Sequence, residues 1–284
     1  MSYLDHVHRL NTHDLSRFVP WTIGGARVGW LRPAFIEHLS RWPQWFTITA
    51  DAVALSAHLD SFATRSAALA EVSRALVADG IIDHWHGEPY VVTASGREQA
   101  VCTLDRASAA HFGIRAFGQH MNGYVRDGDR LLLWIAKRAA DKVNHPGKLD
   151  HLVAGGLPHG IGLLDNLIKE CGEEADIPPA LARGAHGIGA ITYCAETSSG
   201  LKPDVLYCYD LELPADFVPH PADGEVESFR LLPAGEVAAI VRDTDEFKPN
   251  CNLVVIDFLI RHGIIDAAEP DYLALVSGLH PALP

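Results

Sequence analysis

Glu170, Glu173 and Glu174 are the residues of this chain whose types and spacing best suit chemistry. On a helix of about 3.6 residues per turn, Glu170 lies beside both Glu173 (i, i+3) and Glu174 (i, i+4). Like charges so placed repel, and a divalent cation turns that repulsion into binding. Ligands made of oxygen alone suit Mg²⁺ or Mn²⁺ rather than Zn²⁺. The competing reading of such a run is a solvated acidic helix face. The flanking residues separate the two.

Upstream, Leu152-Val153-Ala154-Gly155-Gly156-Leu157-Pro158-His159-Gly160-Ile161-Gly162 runs from an apolar strand end into a glycine-rich loop. Gly155, Gly156 and Gly160 let the backbone turn tightly and approach a ligand closely. Leu163, Leu164, Leu167 and Ile168 then recur at helical spacing, sending one stripe to the core and leaving the glutamate face free. The predicted order is strand, glycine loop, acidic helix.

This stretch resembles the Nudix hydrolases. Their box runs without a gap from Gly155 to Ile177, with Lys169 at the family's Arg, Glu170 at the Glu beside it, and Glu173 and Glu174 at the metal-binding pair. Three positions depart: Ile161 replaces the first Glu, Lys169 the Arg, and Asp176 the last Gly. The resemblance implies that Glu170, Glu173 and Glu174 hold metal, while the first Glu and the Arg support the loop. The metal face is intact here and the loop support is altered. The fold implied is α+β, an α/β/α sandwich with a mixed sheet, preceded by a smaller α+β domain.

A narrower resemblance rests on Gly118-Gln119-His120-Met121-Asn122-Gly123-Tyr124-Val125, Pro146-Gly147-Lys148-Leu149-Asp150, Gly224 to Phe229 and Phe247-Lys248-Pro249-Asn250-Cys251. These phrases are similar to those of two-domain Nudix proteins related to the N-terminal part of fungal thiamin pyrophosphokinases. That similarity implies hydrolysis of thiamin diphosphate, or its oxidised analogues, to the monophosphate. The expected partner is thus a small-molecule diphosphate, and a homodimer is expected because family members often pair.

At 284 residues the chain exceeds a typical domain of about 100 to 200 residues, and 48% hydrophobic content can fill sizeable cores. Its net charge of -13 opposes a polyanion, so nucleic acid is not the expected partner. The start lacks a basic segment followed by an apolar run, and the most apolar stretch, Leu253 to Ile260, is far shorter than the ~20 residues of a membrane span. The expectation is a cytoplasmic protein without a membrane partner. Five cysteines without C-x-x-C pairing argue against a disulfide framework or zinc knuckle.

The elements that must position the glutamates fall into two units, 1–112 and 113–284. In the first, helices are predicted over Pro33 to Arg41 and Arg65 to Asp79, and a hairpin around Gly87 joining Trp85 to Tyr90, Val91 and Val92. The tryptophans concentrated there form either core or an aromatic wall for a substrate ring. In the second, Met121 to Arg126 and Leu131 to Ala136 form a hairpin, Gly187 to Ala195 pairs with Val205 to Leu213, and Val226 to Leu232 adds a strand. Helices follow over Ala234 to Val241 and Asn252 to His262, the last apolar almost all round and so buried.

One carboxylate must accept a proton during hydrolysis, and Glu174 is the first candidate for that second role. Glu225 and Glu227 are reserves, with edge-strand charge as the other reading. Arg138 leads the candidates for phosphate among Lys137, Arg138, Lys142 and Lys148, because Arg binds phosphate bidentately. His84-Trp85-His86 lacks a third ligand, and no G-x-S-x-G elbow exists. Three functions stay open: a thiamin diphosphate hydrolase, a nucleotide or dinucleoside polyphosphate hydrolase, and a non-catalytic Nudix-like module. Tyr193 carries the second, lying where some dinucleoside-polyphosphate members have a tyrosine after the box; a strand aromatic is its other reading.

Overall fold

The computed structural model describes residues 1–142 and 144–284. It opens on helix α1 (Tyr3–Leu10), started by a reciprocal cap between Ser2 and Asp5. Strands β1 (Val19–Ile23) and β2 (Ala26–Leu31), helix α2 (Pro33–Leu39), and strands β3 (Phe46–Ile48) and β4 (Val53–Leu55) follow, giving a sheet ordered β2-β1-β4-β3. Helix α3 (Phe62–Ala78) starts earlier than expected, because the Ser61 hydroxyl accepts from the Thr64 N–H and caps it there. Gly80, at φ +70°, lies just past its end.

Strands β5 (Pro89–Val92) and β6 (Cys102–Asp105) pair with each other, so the expected hairpin around Gly87 does not form. The amides of His86 and Gly87 are satisfied instead by the Asp105 carboxylate, at 3.1 and 2.7 Å. Trp21, Leu31, Leu69, Val72, Leu76 and Phe112 are buried together as the core of this unit. Trp21 thus takes the core reading, its indole donating to the Phe112 carbonyl.

Strands β7 (Ala116–Asp127) and β8 (Arg130–Arg138) form the predicted hairpin, turning at Gly128 with φ +60°. They are followed by β9 (Leu149–Asp150), β10 (Val153–Gly156), α4 (Leu163–Ala175), α5 (Pro179–Ala182), β11 (His186–Glu196), β12 (Leu201–Glu212), β13 (Val226–Pro233), α6 (Ala234–Asp243), α7 (Pro249–Arg261) and α8 (Tyr272–Gly278). The sheet is ordered β11-β12-β7-β8-β13, with β10 on β7 and β9 on β8. Its β7–β12 pairing is parallel and the rest antiparallel, so the sheet is mixed.

Both faces of this sheet are covered, which is why β8 is apolar on successive residues rather than alternate ones. Trp134, Met121, Leu167 and Cys171 pack on the α4 side. Leu133, Ile135 and the buried run Leu253 to Ile256 pack on the α6–α7 side, joined by Tyr3 and Val7 of α1. The result is the expected α/β/α sandwich, with the opening helix of the chain docked on its far layer. Helix α7 is buried as predicted. Among the described residues, no helix is long and apolar enough to cross a membrane.

Candidate metal and phosphate site

Leu167, Cys171 and Ala175 anchor α4 in the core, and this rotation aims Glu170 and Glu174 at β10. Glu170 lies over Gly155, where an added Cβ would come within 2.6 Å of its Oε2 and push the carboxylate off the strand. One turn on, Glu174 Oε2 accepts the Ala154 N–H at 2.9 Å. Glu173 is half exposed at the helix surface, with its carboxylate 2.6 Å from Lys169 Nζ, which also reaches Glu170 at 3.3 Å. The lysine at the family's Arg position therefore bridges two of the three glutamates.

The helix ends at Asp176 with φ +53°, and the Ile177 N–H returns to the Cys171 carbonyl at 3.0 Å. This left-handed position is where the box carries glycine; aspartate tolerates it because its short side chain costs little there.

Burial pushes the Glu174 carboxyl up to about 8, with the charges of Asp150 and Glu170 adding and the Ala154 N–H and Lys248 opposing. Burial also raises Glu170, although Lys169 pulls it down. Glu170 and Glu173 thus share one half-exposed ammonium, and the desolvated Glu174 has no ion-pair partner among the described residues. Such an all-oxygen set, short of positive charge, is suited to a hard divalent cation.

The loop between β10 and α4 is held largely from outside the sandwich. Arg97, in the segment between β5 and β6, donates to the carbonyls of Pro158 at 2.8 Å and Ile161 at 2.6 Å, and its side chain is only 9% exposed. The His159 N–H donates to the Pro89 carbonyl at 2.7 Å. Ile161 packs against a cluster containing Val91, Phe117 and Leu157. From within the sandwich, the Asn166 amide reaches Gln119 at 2.8 Å and the Gly156 carbonyl at 3.0 Å. Gly160 takes φ +88° in this loop.

Tyr90 and Arg106 form the wall facing Gly156. A Cβ there would strike the Tyr90 hydroxyl and lie 3.0 Å from Arg106 Nη1. Arg106 pairs with Glu88 at 2.9 Å and keeps 39% of its side chain exposed. Its charge is felt by Glu225, and that of Glu170 is felt by it. Sequence reasoning passed over Arg106 and Arg97, because neither stands in a motif and both reach the site only through the packing of one unit on the other.

The basic residues chosen from sequence are each engaged elsewhere. Arg138 binds Asp150 at 3.0 Å and the carbonyls of Asn144 and His145; Lys142 binds Glu225 at 2.8 Å; Lys137 binds Glu227 at 2.8 Å. Lys148 lies near Asp245 and, with Lys137 and Arg230, lines an open cleft of about 490 Å³ that also holds Ile135, a residue of the α6–α7 side. Burial raises Glu225, but Lys142, Arg138 and Arg106 bring it below its ordinary value. Tyr193 is buried, its hydroxyl 2.6 Å from Asp204, so it takes the strand reading.

Residues 2–116 match a family model described as a domain of unknown function (DUF4743). The chain is 44% identical over 289 aligned residues to Nudix hydrolase 20, chloroplastic, of Arabidopsis thaliana, covering 98% of this chain and 77% of that one. It is 45% identical to Nudix hydrolase 24, chloroplastic, of the same plant, covering 96% and 76%. Among solved structures it is similar to DR0079 of Deinococcus radiodurans, with a TM-score of 0.45 and 19% identity over 59% of this chain and 96% of that one.

Proposed function

The chain belongs to the Nudix hydrolase family and is a pyrophosphohydrolase; we propose that it cleaves thiamin diphosphate, or its oxidised analogues, to the monophosphate. Mg²⁺ or Mn²⁺ would be held by Glu170, Glu173 and Glu174. The observation that carries this reading is the pair of desolvated glutamates clamped on Gly155 and Ala154, with Glu173 beside them. When bound, the ion neutralises diphosphate oxygens and acidifies a water.

The rest falls to side chains. Burial raises the Glu174 carboxyl in the absence of a cation; a bound divalent ion would hold it ionised, and in that form it is the candidate to accept the proton. Arg106, half exposed and facing the glycine strand, is the candidate for fork-shaped contact with a phosphate. Arg97 holds the loop through the Pro158 and Ile161 carbonyls. The choice of a thiamin compound is supported by the sequence phrases from Gly118 to Cys251. Tyr193, the residue behind the dinucleoside-polyphosphate alternative, is buried against Asp204, and a nucleotide substrate is the second reading.

Product formation with Mg²⁺ is to be followed chromatographically on thiamin diphosphate and its oxidised forms (monophosphate plus inorganic phosphate), ADP-ribose (AMP plus ribose 5-phosphate), nucleoside triphosphates (monophosphate plus pyrophosphate) and dinucleoside polyphosphates (two nucleotides). The thiamin compounds are expected to give the highest kcat/KM. A nucleotide turned over best contradicts the substrate, and no turnover of any of them contradicts the enzyme reading.

A further inference from the structure

Three of the phrases behind the narrower sequence resemblance converge inside the sandwich, away from the exposed glutamate. His120 lies in β7, Asp150 ends β9 with His151 next to it, and Cys251 sits in the first turn of α7. All four are buried, and one donor atom from each lies within 4.8 Å of the others.

The cluster is not a satisfied polar core. Nδ1 of His120 and Nε2 of His151 are buried without a hydrogen-bond partner among the described residues, whereas buried polar atoms are nearly always paired. The two rings stand 5.0 Å apart. The Cys251 thiol lies 2.7 Å from Asp150 Oδ1, while Oδ2 is taken by Arg138 at 3.0 Å and Lys248 at 3.4 Å. The carboxylate thus turns one oxygen toward the cysteine and the other toward two cations.

We propose that His120, Asp150, His151 and Cys251 form a second metal site, for Zn²⁺ or an ion of its class. Two imidazoles, one carboxylate oxygen and one sulfur match that ion and mismatch Mg²⁺. Burial keeps both imidazoles neutral, as ligands must be. On binding, the Cys251 thiol gives its proton to solvent; the thiolate offsets one charge of the ion, and the Asp150 carboxylate is shared between the ion and the Arg138 and Lys248 cations. Arg138 and Lys248 fix the carboxylate from behind, in the manner of outer partners at metal sites.

Four protein ligands leave no open position, so the role is structural. The site joins α7 to β7 and β9. In the ladder, His120 stands opposite Ala154, whose N–H holds Glu174. The glutamate helix and the buried layer would thereby be fixed to one another. This proposal is independent of the substrate and of the glutamate site.

The full chain is to be produced in zinc-supplemented cells, passed through EDTA, and its metal counted by elemental and native mass spectrometry. One zinc per chain is expected in the wild type and in Glu173→Gln/Glu174→Gln, with at least a ~10-fold fall in occupancy in Cys251→Ser. Protein grown with cobalt should show a near-ultraviolet thiolate-to-cobalt band that oxygen ligands cannot produce, and Cys251→Ser should lack it. Folded wild type with under roughly a tenth of an equivalent of zinc and no cobalt band overturns the proposal. Zinc unchanged in both Cys251→Ser and His120→Asn does so too. Should those variants fail to fold, the wild-type zinc count and cobalt band decide.

Discussion

The Arg97 guanidinium donates to the Ile161 carbonyl at 2.6 Å. Ile161 occupies the box position where the family resemblance implies a supporting glutamate, and Arg97 comes from the N-terminal unit. The loop is therefore braced by a cation from the neighbouring unit acting on its backbone, and the Ile161 side chain is free to pack. Lys169, relieved of that bracing, pairs with Glu170 and Glu173.

Arg97→Ala should free the Pro158 and Ile161 carbonyls and loosen the loop above α4. Turnover is expected to fall ~10-fold through lost positioning, with a loss of about 1.5–3 kcal/mol in stability from removing a buried charged donor. Steady-state kinetics and urea unfolding check both. Unchanged kcat would mean that the loop does not depend on the N-terminal unit.

If Arg106 contacts a substrate phosphate, Arg106→Ala should raise KM ~10-fold, with a smaller effect on kcat. Arg106→Lys should recover only part, because a lysine offers a point charge and not a fork. A KM unchanged by both substitutions would place the phosphate elsewhere.

One buried group gives a pH slope to the magnesium-free protein near neutrality. Glu174 is pushed to about 8 against an ordinary 4.5, so the folded state keeps a proton and stability falls as pH rises through that range. Over that window the urea midpoint in EDTA should decline for the wild type and flatten for Glu174→Gln; equal slopes would exclude Glu174 as the group.

Asp176→Gly places the residue best suited to φ +53° at the end of α4. A change of under about 1 kcal/mol is expected, because relief at the left-handed position and the unfolded-chain entropy that glycine adds oppose each other. A larger loss measured by chemical unfolding would show that the aspartate does more than cap.

The glutamate face, the glycines and the sandwich were legible in the sequence because they rest on local spacing. Glu170 and Glu174 share a face by helical period alone, and the bare strand at Gly155 leaves room for the Glu170 carboxylate. What was not legible is partly local and partly distant. Ser61, capping the Thr64 N–H three residues on, moves the start of α3 forward of the apolar stripe, and Asp105, eighteen to nineteen residues away, takes the amides of the expected hairpin. Arg138 has the chemistry of a phosphate ligand, but Asp150 faces it across the β8–β9 ladder and takes its guanidinium. Arg97 and Arg106 carry no local signature at all.

The central claim, that Glu174 and its helix neighbours serve a metal-dependent diphosphatase, is tested most directly by one comparison. Phosphate release from thiamin diphosphate is measured for wild type and Glu174→Gln, each with Mg²⁺ and with EDTA. The wild type with Mg²⁺ should turn over, and either EDTA or the substitution should cost at least ~100-fold, the scale of losing metal-based stabilisation of the transition state. Equal turnover by Glu174→Gln with Mg²⁺ would contradict the claim.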